Sequence, residues 1–159
     1  MKKADSTLTN APTANTPVYN GSEQALVAAG SASGGTMQYS LDGTHWSTDI
    51  PTGKDAKTYT VSYKVLGDSN HNDGASGSVN VTIAPKPVDI QWGSTTLTYN
   101  GSKQCPTATA TGLASGDTCN ITDTGGQTNA GSYTATATGL DNSNYQLPVE
   151  KTQSFTISP

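Results

Sequence analysis

Apolar and polar residues alternate most clearly in the middle of the first half of the chain. The apolar positions there are Tyr59, Val61, Tyr63 and Val65, and the residues between them are polar. A period of two places the apolar side chains on one face of an extended strand, with the polar ones on the other. The pattern therefore predicts a half-buried strand, and a second one follows over 79–83.

Further short stretches that are predicted to form strands occur along the whole chain. They cover 18–19, 24–29, 37–41, 88–92, 97–99, 105–111, 118–123, 132–138 and 154–157. Turn signals such as Asn-Gly and Asp-Gly lie between them. The polar stretch 2–16 is predicted to be a tether around one short strand near Leu8. Six or seven short strands in each half, with no helical period, are typical of a small β-sandwich.

The sequence contains an internal repeat. The pattern Tyr-Asn-Gly-Ser-x-Gln occurs at 19–24 and again at 99–104, and further matches follow in the same order: 55–60 with 129–134, 69–71 with 143–145, and 81–85 with 155–159. The period of about 75 to 80 residues indicates two copies of one unit. We therefore predict an all-β fold of two tandem small β-sandwich domains, 1–85 and 86–159. A short, semi-stiff linker containing Pro85 and Pro87 is predicted to join them. Both ends of the chain fall at the same phase of the repeat, so we expect a pair from a longer tandem array.

The second copy resembles a known family of repeats. Its motifs are Tyr-Asn-Gly-x-x-Gln at 99–104, Asn-Ala-Gly-Ser-Tyr-Thr-Ala at 129–135, Asn-Ser-Asn-Tyr at 142–145 and Phe-Thr-Ile at 155–157. Together they resemble the MBG-type (YGX-type) Ig-like repeats of bacterial secreted and cell-surface proteins. The first copy is more divergent, with Asp-Ala-Lys-Thr-Tyr at 55–59. The resemblance implies Ig-like sandwiches that serve as stalk, spacer or adhesion modules, and it brings no catalytic residues.

Composition and charge exclude several functions. The chain has no Arg and a net charge of −4, so there is no basic patch for nucleic acid. No apolar run approaches the ~18 residues of a membrane-spanning helix. The only glutamates, Glu23 and Glu150, fall in different halves, and His45 and His71 are single. Acid–base catalysis needs paired carboxylates or an oriented His, so we predict no enzyme and no cofactor.

One polar loop offers a weak calcium candidate. Asp68, Asn70, Asn72 and Asp73 carry oxygen atoms near the spacing of an EF-hand loop. Gly74 comes one place late in that pattern, however, and the twelfth position is not Glu. The alternative interpretation is a turn rich in Asx side chains, with no metal.

Three aromatic residues are candidates for contact with a glycan, because sugar faces stack on aromatic rings. They are Trp46, Trp92 and Tyr39. The stretch 40–46 is similar to the Asp-box of sialidase propellers, but Asp42 and Gly43 are adjacent here, where the Asp-box has a residue between them. A β-hairpin with a packed Trp is the alternative.

The two cysteines both lie in the second copy. Cys105 and Cys119 are fourteen residues apart, and a simple hairpin between them would not place them opposite each other. A disulfide and two separate buried thiols both remain open. Without a neighbouring His, the pair forms neither a zinc site nor a nucleophile.

Two hypotheses for function follow. The first is a non-enzymatic spacer or stalk that projects distal domains of a bacterial protein. That protein would be secreted, exposed on the cell surface or anchored in the cell wall, and the partners of the pair would be neighbouring repeats. The second is an adhesin or carbohydrate-binding module that contacts host or cell-wall glycan through exposed aromatic residues.

Overall fold

The computed structural model describes residues 2–159, and none of them is helical. The all-β class predicted from the alternating pattern is confirmed. No helix within these residues could cross a membrane. The chain divides into two compact units: unit 1 ends at Ala84, and unit 2 runs from Pro85 to Pro159. The division falls one residue before the boundary predicted from the repeat.

Unit 1 contains eleven short strands around one three-stranded sheet. The strands are β1 (Ala4–Asp5), β2 (Thr7–Asn10), β3 (Thr13–Ala14), β4 (Gln24–Ala25), β5 (Val27–Ala28), β6 (Ser31–Ser33), β7 (Gly35–Ser40), β8 (Thr52–Gly53), β9 (Thr58–Gly67), β10 (His71–Asn72) and β11 (Ser76–Thr82). The antiparallel sheet has the order β11-β9-β7, and the pairs β2–β6, β3–β5 and β4–β8 are also antiparallel. β1 pairs in parallel with β10. The short strand predicted near Leu8 is present as β2, but the rest of 2–16 is not a tether, because it supplies β1 and β3.

The core of unit 1 follows the alternation of β9. Val61 and Val65 are fully buried, and so are Leu26 and Ile83 from other parts of the unit. Tyr59 and Tyr63, which the pattern placed on the same face, keep part of their surface exposed. Burying a β-branched or leucine side chain contributes about 1.5–3 kcal/mol, so these few residues dominate the stability of a small unit.

Unit 2 contains eight strands around a four-stranded sheet. The strands are β12 (Lys86–Pro87), β13 (Asp89–Trp92), β14 (Thr96–Thr98), β15 (Ala108–Thr111), β16 (Ile121–Thr124), β17 (Gly131–Leu140), β18 (Tyr145–Gln146) and β19 (Thr152–Ser158). The sheet has the order β14-β19-β17-β16, β13 pairs with β15, and β12 pairs in parallel with β18. Lys86 and Pro87, which were predicted to lie in the linker, therefore form a strand of unit 2.

The core of unit 2 is small. Ala135, Phe155 and Ile157 are buried together, and partly buried side chains pack against them: Trp92, Leu97, Cys105 and Tyr133. The rings of Tyr133 and Phe155 lie 5.7 Å apart between centroids in a tilted arrangement. Because alanine fills two inward positions of β17, Phe155 is the one large side chain that fills the centre.

The repeat seen in the sequence is reproduced in side-chain hydrogen bonds. Gln24 Nε2 donates to the carbonyl of Val18 at 2.9 Å, and Gln104 Nε2 donates to the carbonyl of Thr98 at the same distance. The Asn-Gly turns match as well, since the Asn side chain accepts the N–H two residues on at 2.9 Å in each unit. Equivalent residues of the two units therefore make equivalent hydrogen bonds.

In unit 2 the chain enters at one end of β17 and leaves at the other. The N–H of Lys86 donates to the carbonyl of Asn144 at 3.0 Å, in the turn that follows Leu140, the last residue of β17. Near the other terminus, Ile157 pairs with Gly131, the first residue of β17. A strand of ten residues spans about 30 Å, so the two ends of unit 2 are far apart.

Unit 1 has the same arrangement. The N–H of Ala4 donates to the carbonyl of Asn70 at 3.0 Å, close to the end of the ten-residue strand β9. At its other terminus, Thr82 pairs with Thr58, the first residue of β9. The first and last strands of each unit are thus attached to opposite ends of its central strand.

Candidate functional site

The turn over 40–46 is built on the carboxylate of Asp42. Its Oδ1 accepts the N–H groups of Thr44 and His45 at 2.8 Å each, and the hydroxyl of Ser40 donates to it at 2.9 Å. Gly43 has φ of +77°, which a glycine adopts without strain. These bonds are those of an Asx turn that closes a hairpin.

The hairpin itself is held by two backbone hydrogen bonds. Tyr39 N–H donates to the carbonyl of Ser47 at 2.8 Å, and Ser47 N–H donates back to Tyr39 at 3.0 Å. The predicted hairpin around Asp42 and Gly43 is therefore present, and the Asp-box-like stretch is its turn.

Ser40, Asp42 and His45 carry the side chains of a catalytic triad, but they are not hydrogen-bonded to one another in the way that a triad requires. The Nδ1 of His45 lies 2.5 Å from Asp42 Oδ2, and the Ser40 hydroxyl is bonded to the other oxygen of the same carboxylate. A triad needs the imidazole between the hydroxyl and the carboxylate, so that it can take the hydroxyl proton.

The backbone N–H of His45, and then its imidazole, lower the pKa of Asp42 far below its ordinary value. This carboxylate is a fixed anion that organises a turn.

The candidate aromatic residues of unit 1 are both engaged in packing. Tyr39 is only 3% exposed, and its hydroxyl accepts the N–H of Gly30 at 2.9 Å. Trp46 is half-buried, and the Nζ of Lys64 lies 4.3 Å from its ring centroid. A cation over the ring occupies a face on which a sugar would stack.

Trp92 lies in the other unit, where it packs against the buried cluster around Phe155. The structure therefore places two of the three candidate aromatic residues in unit 1 and the third in unit 2. Only Tyr39 and Trp46 share a unit, and the ring of Tyr39 is buried. Contact of Trp46, Trp92 or Tyr39 with a glycan stays a prediction.

Two residues of the calcium candidate are bonded within their own turn. Asp68 Oδ1 accepts the N–H of Asn70 at 2.8 Å and lies 2.6 Å from His71 Nδ1. The imidazole of His71 is the main reason that the pKa of Asp68 is lowered. These contacts are those of an Asx turn, the alternative interpretation from the sequence.

The other two residues of that candidate bond elsewhere. Asp73 Oδ1 accepts the N–H of Gly67 at 2.9 Å, and Asn72 Nδ2 donates to Asp5 Oδ1 at 3.1 Å. Over residues 2–159, no group of three or more His, Cys, Asp or Glu side chains is arranged to hold a metal ion. Calcium binding at Asp68, Asn70, Asn72 and Asp73 stays a prediction.

Unit 2 contains a buried tyrosine anchor whose partners the sequence analysis did not identify. The hydroxyl of Tyr145 donates to Asp117 Oδ2 at 2.7 Å and accepts the N–H of Ala114 at 2.8 Å. Tyr145 is 4% exposed and belongs to β18, the strand that holds the start of the unit. The anchor fixes the loop around Asp117 to the end at which the chain enters. Asp117 precedes Tyr145 by 28 residues, and no local signal links them.

Removing this hydroxyl should weaken unit 2. In Tyr145→Phe the N–H of Ala114 loses its partner in a part-buried position, and we expect a loss of about 1–3 kcal/mol in the free energy of unfolding. Denaturant unfolding measures the change. Tyr99→Phe is the control, because that side chain is 51% exposed and the same change there should cost little. Equal effects of the two changes would show that the anchor contributes nothing.

The anchor also predicts a dependence on alkaline pH. Burial, helped by the Asp117 carboxylate, raises the pKa of Tyr145 above its ordinary value of 10.0. A group whose pKa is raised on folding stabilises the folded state below its unfolded pKa. That stability is lost as pH rises from about 10 through the folded pKa. Tyr145→Phe should therefore flatten the loss of stability of unit 2 above pH 10.

Both cysteines are free thiols, so of the two alternatives from the sequence the structure has the separate thiols. Cys119 is 8% exposed and Cys105 is partly exposed beside Lys103 and Asp123. Burial raises the pKa of each thiol. Because the thiolate is the reactive form, we expect the native protein to react slowly with Ellman's reagent at pH 8, and Cys119 more slowly than Cys105. Rapid reaction of Cys119 would contradict its burial.

The comparisons with known proteins give no relative. No model of a protein family matches the chain, and no curated protein or solved structure matches it either.

Proposed function

We propose that the chain is a non-enzymatic pair of tandem Ig-like β-sandwich domains, of the MBG type, that acts as a spacer or stalk. One observation carries this proposal. Each unit attaches its first and last strands to opposite ends of a ten-residue central strand, Thr58–Gly67 in unit 1 and Gly131–Leu140 in unit 2. A unit built this way adds its own length, about 30 Å, to the chain that passes through it.

The use of the aromatic side chains supports the spacer over the adhesin. Tyr39 and Tyr145 are buried with their hydroxyls bonded, Trp46 lies against Lys64, and Trp92 packs on the core of unit 2. A glycan site needs aromatic faces that are open to solvent. Tyr39, Tyr145 and Trp92 contribute instead to the packing of thin cores.

The setting we propose rests on the resemblance of the motifs at 99–104 and 129–135 to MBG-type repeats. The pair would belong to a larger bacterial protein that is secreted, exposed on the cell surface or anchored in the cell wall. Its partners would be neighbouring repeats. A low charge content of 13%, with many Thr, Ser and Gly residues, suits a long array that must not attract other macromolecules.

The test is a binding screen of the pair against glycans and host-matrix proteins. The spacer proposal predicts no saturable binding by the wild-type chain. Trp46→Ala and Trp92→Ala are screened beside it, with Tyr99→Ala as the control for an exposed aromatic residue outside the candidate set. Saturable binding that is lost in one Trp variant, with the fold intact by circular dichroism, would replace the spacer with the adhesion module.

A further inference from the structure

We infer that the two units resist pulling unequally, and that unit 1 yields before unit 2 because Pro17 interrupts the hydrogen bonds between its first and last segments. This inference rests on the proposed spacer role, in which tension runs along the chain. It concerns the short parallel pairing between the segment before each Asn-Gly turn and the segment that ends the same unit.

In unit 2 this ladder is complete. β14 and β19 pair in parallel through Thr96–Thr156, Leu97–Ile157 and Thr98–Ser158. It is bounded by two further bonds of 2.8 Å, from the N–H of Thr156 to the carbonyl of Thr95 and from the N–H of Tyr99 to the carbonyl of Ser158.

Tension would load this ladder in shear. β14 follows the attachment of Lys86 at one end of β17, and β19 leaves at the other end. Pulling the two termini of unit 2 apart therefore draws the two parallel strands in opposite directions along their own axes. Since their hydrogen bonds run across the direction of sliding, all of them must break together.

In unit 1 the ladder is reduced to a single bridge between Val18 and Ala84. Its two bonds run from the N–H of Ala84 to the carbonyl of Pro17, at 2.9 Å, and from the N–H of Tyr19 to the carbonyl of Ala84, at 2.8 Å. Aligning the two Tyr-Asn-Gly motifs places Pro17 where unit 2 has Leu97. A proline has no N–H and cannot donate to a ladder, so the pairing cannot extend through this residue.

The residue two places before Pro17 also bonds differently in unit 1. Asn15 aligns with Thr95, but its N–H donates to the carbonyl of Leu26 at 2.9 Å, and β3 just before it pairs with β5. The residues just before Pro17 are therefore hydrogen-bonded to β5 and its neighbour Leu26, and not to the end of the unit. The antiparallel ladder of the last strand is nearly the same in the two units, with seven pairs in unit 1 and six in unit 2. The difference between the units lies in the parallel ladder.

Single-molecule force spectroscopy of the whole chain, held at its two ends, tests the inference. The wild-type chain should show two unfolding events with forces that differ roughly twofold, because unit 2 has a parallel ladder of three residue pairs where unit 1 has a single bridge. Pro17→Ala restores an N–H with a small side chain and should raise the lower force only. Leu97→Pro should lower the higher force only. Leu97→Ala is its control, since it removes the side chain but keeps the N–H.

Three outcomes would overturn the inference. One is a lower force that does not change in Pro17→Ala. Another is a lower force that falls in Leu97→Pro, because unit 2 would then be the weaker unit. The third is Leu97→Ala matching Leu97→Pro, because the side chain and not the ladder would then set the force. In each case two unfolding events in a chain that binds no glycan would leave the spacer proposal standing.

Discussion

Phe155→Ala is expected to unfold unit 2 at ordinary temperature while unit 1 keeps its fold. Phe155 is 2% exposed and is the one large side chain at the centre of a cluster otherwise built on Ala135 and Ile157. Truncating a buried phenylalanine costs about 3–5 kcal/mol. A domain of this size is stable by only about 4–11 kcal/mol, and a unit with a thin core falls at the low end. Two-dimensional NMR of the variant should lose the dispersed signals of unit 2 and retain those of unit 1.

Val81→Ala is the matched change in unit 1. Val81 pairs with Tyr59 as Phe155 pairs with Tyr133, so the two residues hold the same place in the repeat. A valine loses fewer atoms on truncation, and unit 1 also contains Leu26 and Ile83 in its core. We expect a milder loss of stability, confined to unit 1.

A loss below about 1 kcal/mol in the free energy of unfolding of unit 2 in Phe155→Ala would contradict the assignment of Phe155 as the centre of the core.

Gly125→Ala should destabilise unit 2 strongly. Gly125 has φ of +104°, and a methyl group there would lie within 3.2 Å of Ala135 Cα and much closer to the carbonyl oxygen of Thr134. Both atoms belong to the backbone of β17, which cannot move without disturbing the whole sheet. We expect a loss of at least about 3 kcal/mol from backbone strain and steric clash together. Thermal unfolding measures it.

Gly116→Ala separates the two causes. Gly116 has φ of +84°, but a methyl group there would meet no atom within 4 Å. Only the cost of a left-handed backbone remains, about 1–2 kcal/mol. If both changes cost the same, the close approach of Gly125 to β17 would have no energetic meaning.

Alternation predicted the long strands because it reports burial directly. Val61 and Val65 fell on one face of β9, and both are buried. It failed over 2–16, where the strands are only two to four residues long and mostly polar. These strands exist because distant segments such as His71–Asn72 accept them as partners. A period of two cannot be detected in two residues, and the partner is invisible to a local pattern.

The candidate site could be predicted only as a set of residue types. The sequence identifies Trp46 as aromatic, but its contact with Lys64 depends on the register between β7 and β9 and on the turn that follows β7. The bonds of Tyr145 to Ala114 and Asp117 likewise join residues that are 31 and 28 positions apart in the sequence, so no local pattern predicts them. The Asx turn at Asp42 was within reach of the sequence, because all its bonds lie within three residues.

The spacer account depends most directly on the separation of the two ends of a unit. Spin labels at Ser143 and Ser158 report it in unit 2. Ser143 is exposed next to Asn144, which holds the first strand, and Ser158 is exposed at the end of the last strand. Cys105 and Cys119 are first replaced by Ser and Ala, and a pair at Ser102 and Ser158 gives a short reference distance, because Tyr99 bonds to Ser158. Pulsed electron spin resonance should give about 30 Å for Ser143–Ser158. A distance as short as the reference would place both ends of the unit together and contradict the account.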